Sequence, residues 1–289
     1  MRKVVVMIDI LLDALVDTLK TLPFLFGAYL LLEFLEHRAS EKLTNALSRL
    51  GPLGPLGGAA LGLVPQCGFS VAASNFYAGR LITPGTLLAV FLATSDEALP
   101  ILVSQPGALP DLLLLLGVKF LSGALFGMGT DLLWKHLPHR QAEHPFTELC
   151  QDCDCEHRGI LSAALLHTAK IALFLFLINL LLGGAIHFVG EERISQVLLS
   201  GSVFQPFVAA LIGFIPNCAS SVILTELYLA GSLSFGAAVA GLCTGAGVGL
   251  AVLWKANRHP KENLLLMVLL YGSAVCTGLL SQAVLWMVG

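Results

Sequence analysis

Gly62-Leu63-Val64-Pro65-Gln66-Cys67-Gly68-Phe69-Ser70-Val71 returns 151 residues later as Gly213-Phe214-Ile215-Pro216-Asn217-Cys218-Ala219-Ser220-Ser221-Val222. Each copy sets a proline, a side-chain amide, a thiol and a hydroxyl between two short apolar segments. Polar groups are costly to bury in apolar surroundings unless something pairs with them, so two such stretches in one chain point to a binding position. The surroundings are those of a membrane. The 289 residues are 56% hydrophobic and only 12% charged, with a mean hydropathy of +0.83, which is more apolar than a soluble core uses. The apolar runs exceed the roughly 10-residue alternating strands of a membrane barrel. The expected fold is therefore an all-α polytopic membrane protein.

Runs able to span lie at 10–36, 84–104, 110–134, 160–188, 236–254 and 262–288. Two further stretches, 51–79 and 197–231, are split by the repeated motif into pieces of about a dozen residues, too short to cross at ~1.5 Å per residue. Each is either a broken helix or a re-entrant hairpin. Basic loops decide between these. The loops at 38–49 (Arg38, Lys42, Arg49), 135–158 (Lys135, Arg140, Arg158) and 255–261 (Lys255, Arg258, Lys261) hold most of the cations and belong in the cytoplasm. They share one side only if 51–79 re-enters. Both termini and Glu191-Glu192-Arg193 then fall outside, and Trp134 and Trp254 mark inner span ends. Arg2 and Lys3 are followed by Asp9, Asp13 and Asp17 with no small-residue cleavage site, so residues 4–20 read as a retained helix rather than a cleaved leader.

The repetition extends beyond the motif. A shift of 150 residues sets Ala14–Leu32 on Ala164–Leu182 with ten of nineteen positions identical, including Thr18, Lys20, Phe24, Leu25 and Phe26. The expected division is residues 1–140 as a first repeat, 141–158 as a cytoplasmic Cys/His-rich linker and 159–289 as a second repeat. Each repeat has three spans and one hairpin. Because three is odd, the second repeat starts on the opposite side of the membrane, so the repeats are expected to be inverted. Discontinuous helices meeting near the midplane in inverted repeats are the pattern of secondary transporters.

The tips supply candidate substrate ligands. Pro65 and Pro216 suit the first turn of a half-helix, where a missing N–H costs nothing, and the amides that follow aim a positive dipole end at the bilayer centre. Gln66 and Asn217 offer a donor and an acceptor, Cys67 and Cys218 offer soft sulfur, and Ser70 and Ser221 follow three residues later on the same helical face. The plainer alternative is that these side chains only satisfy backbone freed at the breaks, with cysteine as a small apolar filler.

Ionisable groups inside predicted spans or hairpin arms are Lys20, Lys170, Asp96, Glu97, Glu226 and His167. Buried charge in a bilayer is costly, so each is a candidate for ion coupling or for an internal ion pair. Asp96 and Glu97 follow Thr94-Ser95, whereas the second half has Thr244-Gly245-Ala246-Gly247 at the comparable place. An acidic pair in one half suits coupling to H+ or Na+. The linker carries Cys150, Cys153, Cys155 and His157, three thiols and an imidazole that fit a tetrahedral thiophilic metal such as zinc or are simply a cysteine-rich flexible segment. Cys243 and Cys276 are expected to pack.

No cofactor is required by any motif. A phosphate-binding loop, a nucleophile elbow and a His-Glu-x-x-His site are all missing, so transport rather than catalysis is expected. A net charge of -3 without a basic stripe argues against nucleic acid. The expected partners are the lipid bilayer, a small inorganic or anionic substrate, and a second copy in a homodimer.

The paired Pro-x-Cys-x-x-Ser breaks, the Cys-rich linker and Ile160-Leu161-Ser162-Ala163-Ala164-Leu165-Leu166-His167-Thr168-Ala169-Lys170-Ile171 resemble the bacterial ten-helix heavy-metal exporter family, whose members carry the labels arsenic efflux protein and manganese transporter. The resemblance implies ten helices, counted as six spans and four half-helices, in the bacterial plasma (inner) membrane. The Cys-Ser-Cys-Gly type of signature of arsenic permeases does not occur here. Three readings stay open: efflux of a heavy metal or an arsenite-like metalloid, export of a small anion such as phosphate, arsenate or an organic acid, and metal sensing without transport.

Overall fold

Proline, small polar caps and glycine set where the helices of this protein begin and stop. The structure, a computed structural model, describes residues 53–64, 67–95, 98–105, 107–134 and 204–288, with scattered positions in 11–30 and 161–180 that are all helical. Ten helices are bounded within the described residues. In the first half they are α1 (Gly54–Gly62), α2 (Cys67–Ala78), α3 (Pro84–Ala93), α4 (Ala98–Ser104) and α5 (Leu109–Trp134). In the second half they are α6 (Gln205–Gly213), α7 (Cys218–Leu229), α8 (Phe235–Thr244), α9 (Val248–Ala256) and α10 (Pro260–Val288). Helices α1, α2, α3 and α5 begin 151 residues before α6, α7, α8 and α10. Among the described residues, four helices thus recur at one fixed spacing.

The local causes are duplicated too. Pro55, Pro84 and Pro206 occupy the first or second position of α1, α3 and α6, where proline loses no hydrogen bond. Thr83 caps α3 by accepting from the Thr86 N–H, and Ser234 caps α8 by accepting from the Ala237 N–H. The next backbone amide also finds a distant acceptor: Gly85 N donates to Asp131 Oδ1 at 2.7 Å, and Gly236 N donates to Gln282 Oε1 at 3.1 Å. Small residues then let backbones touch. A Cβ on Gly85 would strike the Gly127 carbonyl, and one on Gly236 would strike the Gly278 carbonyl, so α3 crosses α5 and α8 crosses α10 at backbone contact. Close approach through glycine is how helices associate when lipid removes the hydrophobic drive between them.

Four segments among the described residues are long and apolar enough to cross a membrane: Pro84–Ser104, Leu109–Trp134, Phe235–Ala256 and Pro260–Met287. The spans expected at 110–134 and 262–288 are the continuous helices α5 and α10, whose exposed leucines, such as Leu113, Leu121, Leu264 and Leu280, suit lipid. The other two expected spans are each interrupted. Segment 84–104 breaks after α3 at Thr94-Ser95, and 236–254 breaks after α8 at Gly245-Ala246-Gly247. Gly247 has φ 53 and ψ -140, a conformation open to glycine and strained for other residues. The hairpin arms expected at 51–79 and 197–231 are the pairs α1/α2 and α6/α7. The spans expected at 10–36 and 160–188 lie largely outside the described residues, as does the linker.

Packing within a half is local, with α1 on α3 and α5, and α6 on α8 and α10. Packing between halves is crosswise. The hairpin arm α2 lies on α9, the second piece of the other half's broken helix, and α7 lies on α4. The broken helix α8/α9 is the most enclosed of the four long apolar segments among the described residues.

Candidate functional site

The first turns of α7 and α2 both pack on the broken helix α8/α9. Helix α7 starts at Cys218 because Asn217, extended at φ -145 and ψ 147, caps it, its Oδ1 accepting from the Ala219 N–H at 3.0 Å. Asparagine is among the strongest N-cap residues. Pro216 therefore stands one residue before the cap, not in the first turn as its sequence position suggested. Half of the Asn217 amide is committed to the backbone. Ser220 Oγ donates to the Asn217 carbonyl at 2.8 Å, which ties the tip down further. Ser221, buried, faces Gly245, where an added Cβ would sit 3.3 Å from Ser221 Oγ.

The first tip reaches the same broken helix from the other half. Ser70, fully buried, packs on Gly249, where a Cβ would lie 2.8 Å from Ser70 Cβ. Ser74 Oγ lies 2.8 Å from both the Ser70 and the Gly249 carbonyls. Ser221 thus meets the gap between α8 and α9 at Gly245, and Ser70 meets Gly249 in the first turn of α9. Around them stands a buried polar belt of Asn75, Thr94, Ser95, Asn217, Ser220, Thr225 and Thr244. Most of its hydroxyls bond to backbone: Thr225 to the Ser221 carbonyl at 2.7 Å, Thr94 to Val90 at 2.7 Å, and Thr244 across to Ala210 at 2.7 Å. Thr225 and Thr94 bond carbonyls one turn back in their own helices, while Thr244 reaches across to α6.

A residue that the spacing arguments passed over sits at the centre. Lys119 of α5 is completely buried. Its ammonium donates to the Thr94 carbonyl at the end of α3 and, at 2.8 Å, to the Leu242 carbonyl in the last turn of α8. Cys243, also fully buried, lies beside it. The signal for Lys119 was present, since a lysine between Val118 and Phe120 in an apolar run is a functional candidate by the rule that singled out Lys20 and Lys170.

Other candidates fall elsewhere. Glu226 is exposed on α7. Lys170 is exposed and its carbonyl accepts from Lys255 Nζ at 3.5 Å, with that ammonium 4.3 Å above the Phe174 ring. Lys255 is six residues beyond Gly249 on α9, about 9 Å along the axis. Pro65, Gln66, Lys20, Asp96, Glu97, His167, Cys150, Cys153, Cys155 and His157 lie outside the described residues, as do the side chains of Cys67 and Cys218. Among the described residues no group of three His, Cys, Asp or Glu is placed to hold a metal.

At the far ends of the hairpin arms the crosswise pattern recurs. Tyr77 at the end of α2 donates to Glu262 Oε2 of α10 at 3.2 Å, and Arg80 Nη1 meets the same oxygen at 2.9 Å. Tyr228 at the end of α7 and Asp111 of α5 line one small cleft. Both partners of the second pair stand 151 residues from those of the first.

Long apolar helices, half-length hairpin arms and interrupted helices with a buried polar belt define a multi-pass membrane protein. Over residues 171–285 the sequence matches the model of a family described as "Putative, 10TM heavy-metal exporter". That stretch runs from within the 161–180 helical segment to α10, and the family is the one the sequence motifs resemble. No curated protein and no solved structure matches the chain.

Proposed function

We propose that the protein is a secondary transporter that exports a heavy metal or an arsenite-like metalloid, bound between the two hairpin tips near the bilayer midplane. The observation that carries this reading is that both arms bring a buried serine to the broken helix α8/α9, Ser221 to Gly245 in its gap and Ser70 to Gly249 just beyond it. Cys67 and Cys218 head the two arms that bear these serines, and thiolates are the natural ligands of thiophilic metals and metalloids. A neutral metalloid acid suits a place where helix ends of both polarities converge. The family description supports the export direction and the substrate class.

Inverted repeats would give the two access states. The crosswise pairs support this orientation: Arg80 and Glu262 border regions that the basic residues assign to the cytoplasm, while Asp111 and Tyr228 border regions assigned outside. The inner membrane of a bacterium is the corresponding location. Cys150, Cys153, Cys155 and His157 would then form a cytoplasmic contact for zinc or a similar metal. Export of a small anion is the second reading, favoured by the N-terminal ends of α2 and α7 at the tips; the engagement of Lys119 by carbonyls weighs against its serving as the counter-charge.

The test is the double substitution Cys67→Ser with Cys218→Ser. Loss of two ligands is expected to lower arsenite efflux from everted vesicles, and arsenite resistance of cells, by at least about tenfold, since even supporting residues around metal sites cost that much. Unchanged arsenite flux would remove the thiol-ligand reading, and phosphate flux without arsenite flux would select the anion exporter.

A further inference from the structure

Lys119 joins two helix ends that belong to different halves. Thr94 caps the C-terminal end of α3, and Leu242 stands in the last turn of α8. Both ends carry the negative pole of a helix dipole and carbonyls without intrahelical partners. Carbonyl ends of broken helices are where transporters of this architecture coordinate a soluble cation. We infer that the Lys119 ammonium is a tethered cation occupying such a site and that it carries the proton coupled to transport. The inference rests on the transporter reading above and supplies its coupling ion.

The chemistry is a single proton transfer. Protonated Lys119 holds α3 of the first half to α8 of the second through the Thr94 and Leu242 carbonyls. When the N–H bond breaks and the proton passes to water, the neutral amine keeps its electron pair, the charge that bound both carbonyl ends is gone, and the halves can part. Reprotonation from the other side restores the link. No soluble Na+ is required, because the ammonium already fills the carbonyl site.

Among the described residues, most other titratable groups near the core are engaged elsewhere. Cys243 on α8 is the titratable side chain beside it among the described residues, and α1, α3 and α4 carry no ionisable side chain. On α5 itself, Asp111 faces a cleft shared with Tyr228 and Asp131 bonds the start of α3. On α10, Glu262 pairs with Arg80, the Tyr271 hydroxyl donates to the Phe207 carbonyl and Cys276 is exposed. Asp96 and Glu97, which follow Thr94 in sequence, lie outside the described residues, and the inference requires only the two carbonyls. At the corresponding position of the second half, 151 residues on, stands Leu270, so the chain holds one such tether at this register.

The full-length protein in lipid nanodiscs provides a test that needs no substrate. Melting temperature is measured in NaCl and in choline chloride for the wild type, Lys119→Ala and Lys119→Ser. The wild type is expected to melt alike in both salts, while the two truncations, with the carbonyl site vacated, are stabilised specifically by Na+, as a ligand of the folded state must do. Truncations that respond to Na+ no more than the wild type overturn the tethered cation. In arsenite-loaded proteoliposomes, wild-type flux should rise several-fold on imposing a pH gradient and not on imposing a Na+ gradient. Lys119→Met should abolish that rise, and a rise retained in Lys119→Met overturns the proton role. If wild-type protein moves no arsenite, the substrate reading fails, while the salt comparison still decides the tether.

Discussion

At three positions related by the 151-residue spacing the halves part company: Lys119 against Leu270, Asp131 against Gln282, and Arg80 against Gly231. The backbone geometry is the same at each, with Asp131 and Gln282 accepting from equivalent glycine amides and Arg80 and Gly231 sharing a positive φ of 58 and 73. The first half makes these contacts with charge, the second with a neutral amide, an apolar side chain or no side chain. Hydrogen bonds to ionised groups are roughly twice as strong as neutral ones. Asp131 uses its charge within the first half, whereas Lys119 and Arg80 use theirs to hold the first half to the second.

Substitutions can break or sharpen that contrast. The largest stability effect is expected where the halves agree. Gly127→Leu and Gly278→Leu each drive a side chain into the facing backbone, and overpacking of this kind costs about 3 kcal/mol or more; both should lower the melting temperature and yield equally. A large inequality would mean that the two crossings are not equivalent. A smaller effect separates the halves. Asp131→Ala removes a carboxylate that accepts from Gly85 N and Thr83 Oγ1, whereas Gln282→Ala removes a neutral acceptor, so Asp131→Ala should be worse by about 1 kcal/mol in thermal unfolding. Equal losses would erase the contrast in charge. The smallest effect concerns the turn after the hairpin. Gly231→Ala should cost about 1 kcal/mol for a left-handed conformation, while Arg80→Gly relieves about the same strain and gives up an ion pair of about 0.2–1 kcal/mol, leaving stability nearly unchanged. A clear loss in Arg80→Gly would show that its link to Glu262 is stronger than a partly exposed pair.

Much of this was legible in the chain. The duplicated Pro-x-Cys-x-x-Ser stretch located the breaks between α1 and α2 and between α6 and α7, because proline and a capping asparagine inside apolar runs favour a helix end. Long leucine-rich runs located α5 and α10. The breaks in 84–104 and 236–254 escaped notice because Thr94-Ser95 and Gly245-Ala246-Gly247 contain no proline, and small residues are common in unbroken membrane helices. Their interruption depends on tertiary partners: α2 against α9, and Lys119 against the Thr94 carbonyl. The place of Pro216 was misjudged by two positions since Asn217, not proline, supplies the cap. The crosswise tyrosine pairs were readable in principle, because Tyr77 and Tyr228, and Asp111 and Glu262, keep the same spacing as the motif.

Those pairs carry a consequence for how such a chain came to be. Tyr77 reaches from the first half to Glu262 in the second, and Tyr228 of the second half shares a cleft with Asp111 of the first. Two copies of a single half-length chain, related by a twofold axis, would make this contact twice with one tyrosine and one acid. A tyrosine at 77 and 228 and an acid at 111 and 262, each pair 151 residues apart, are what duplication of a half-length segment would leave, while positions 119 and 270 hold a lysine and a leucine.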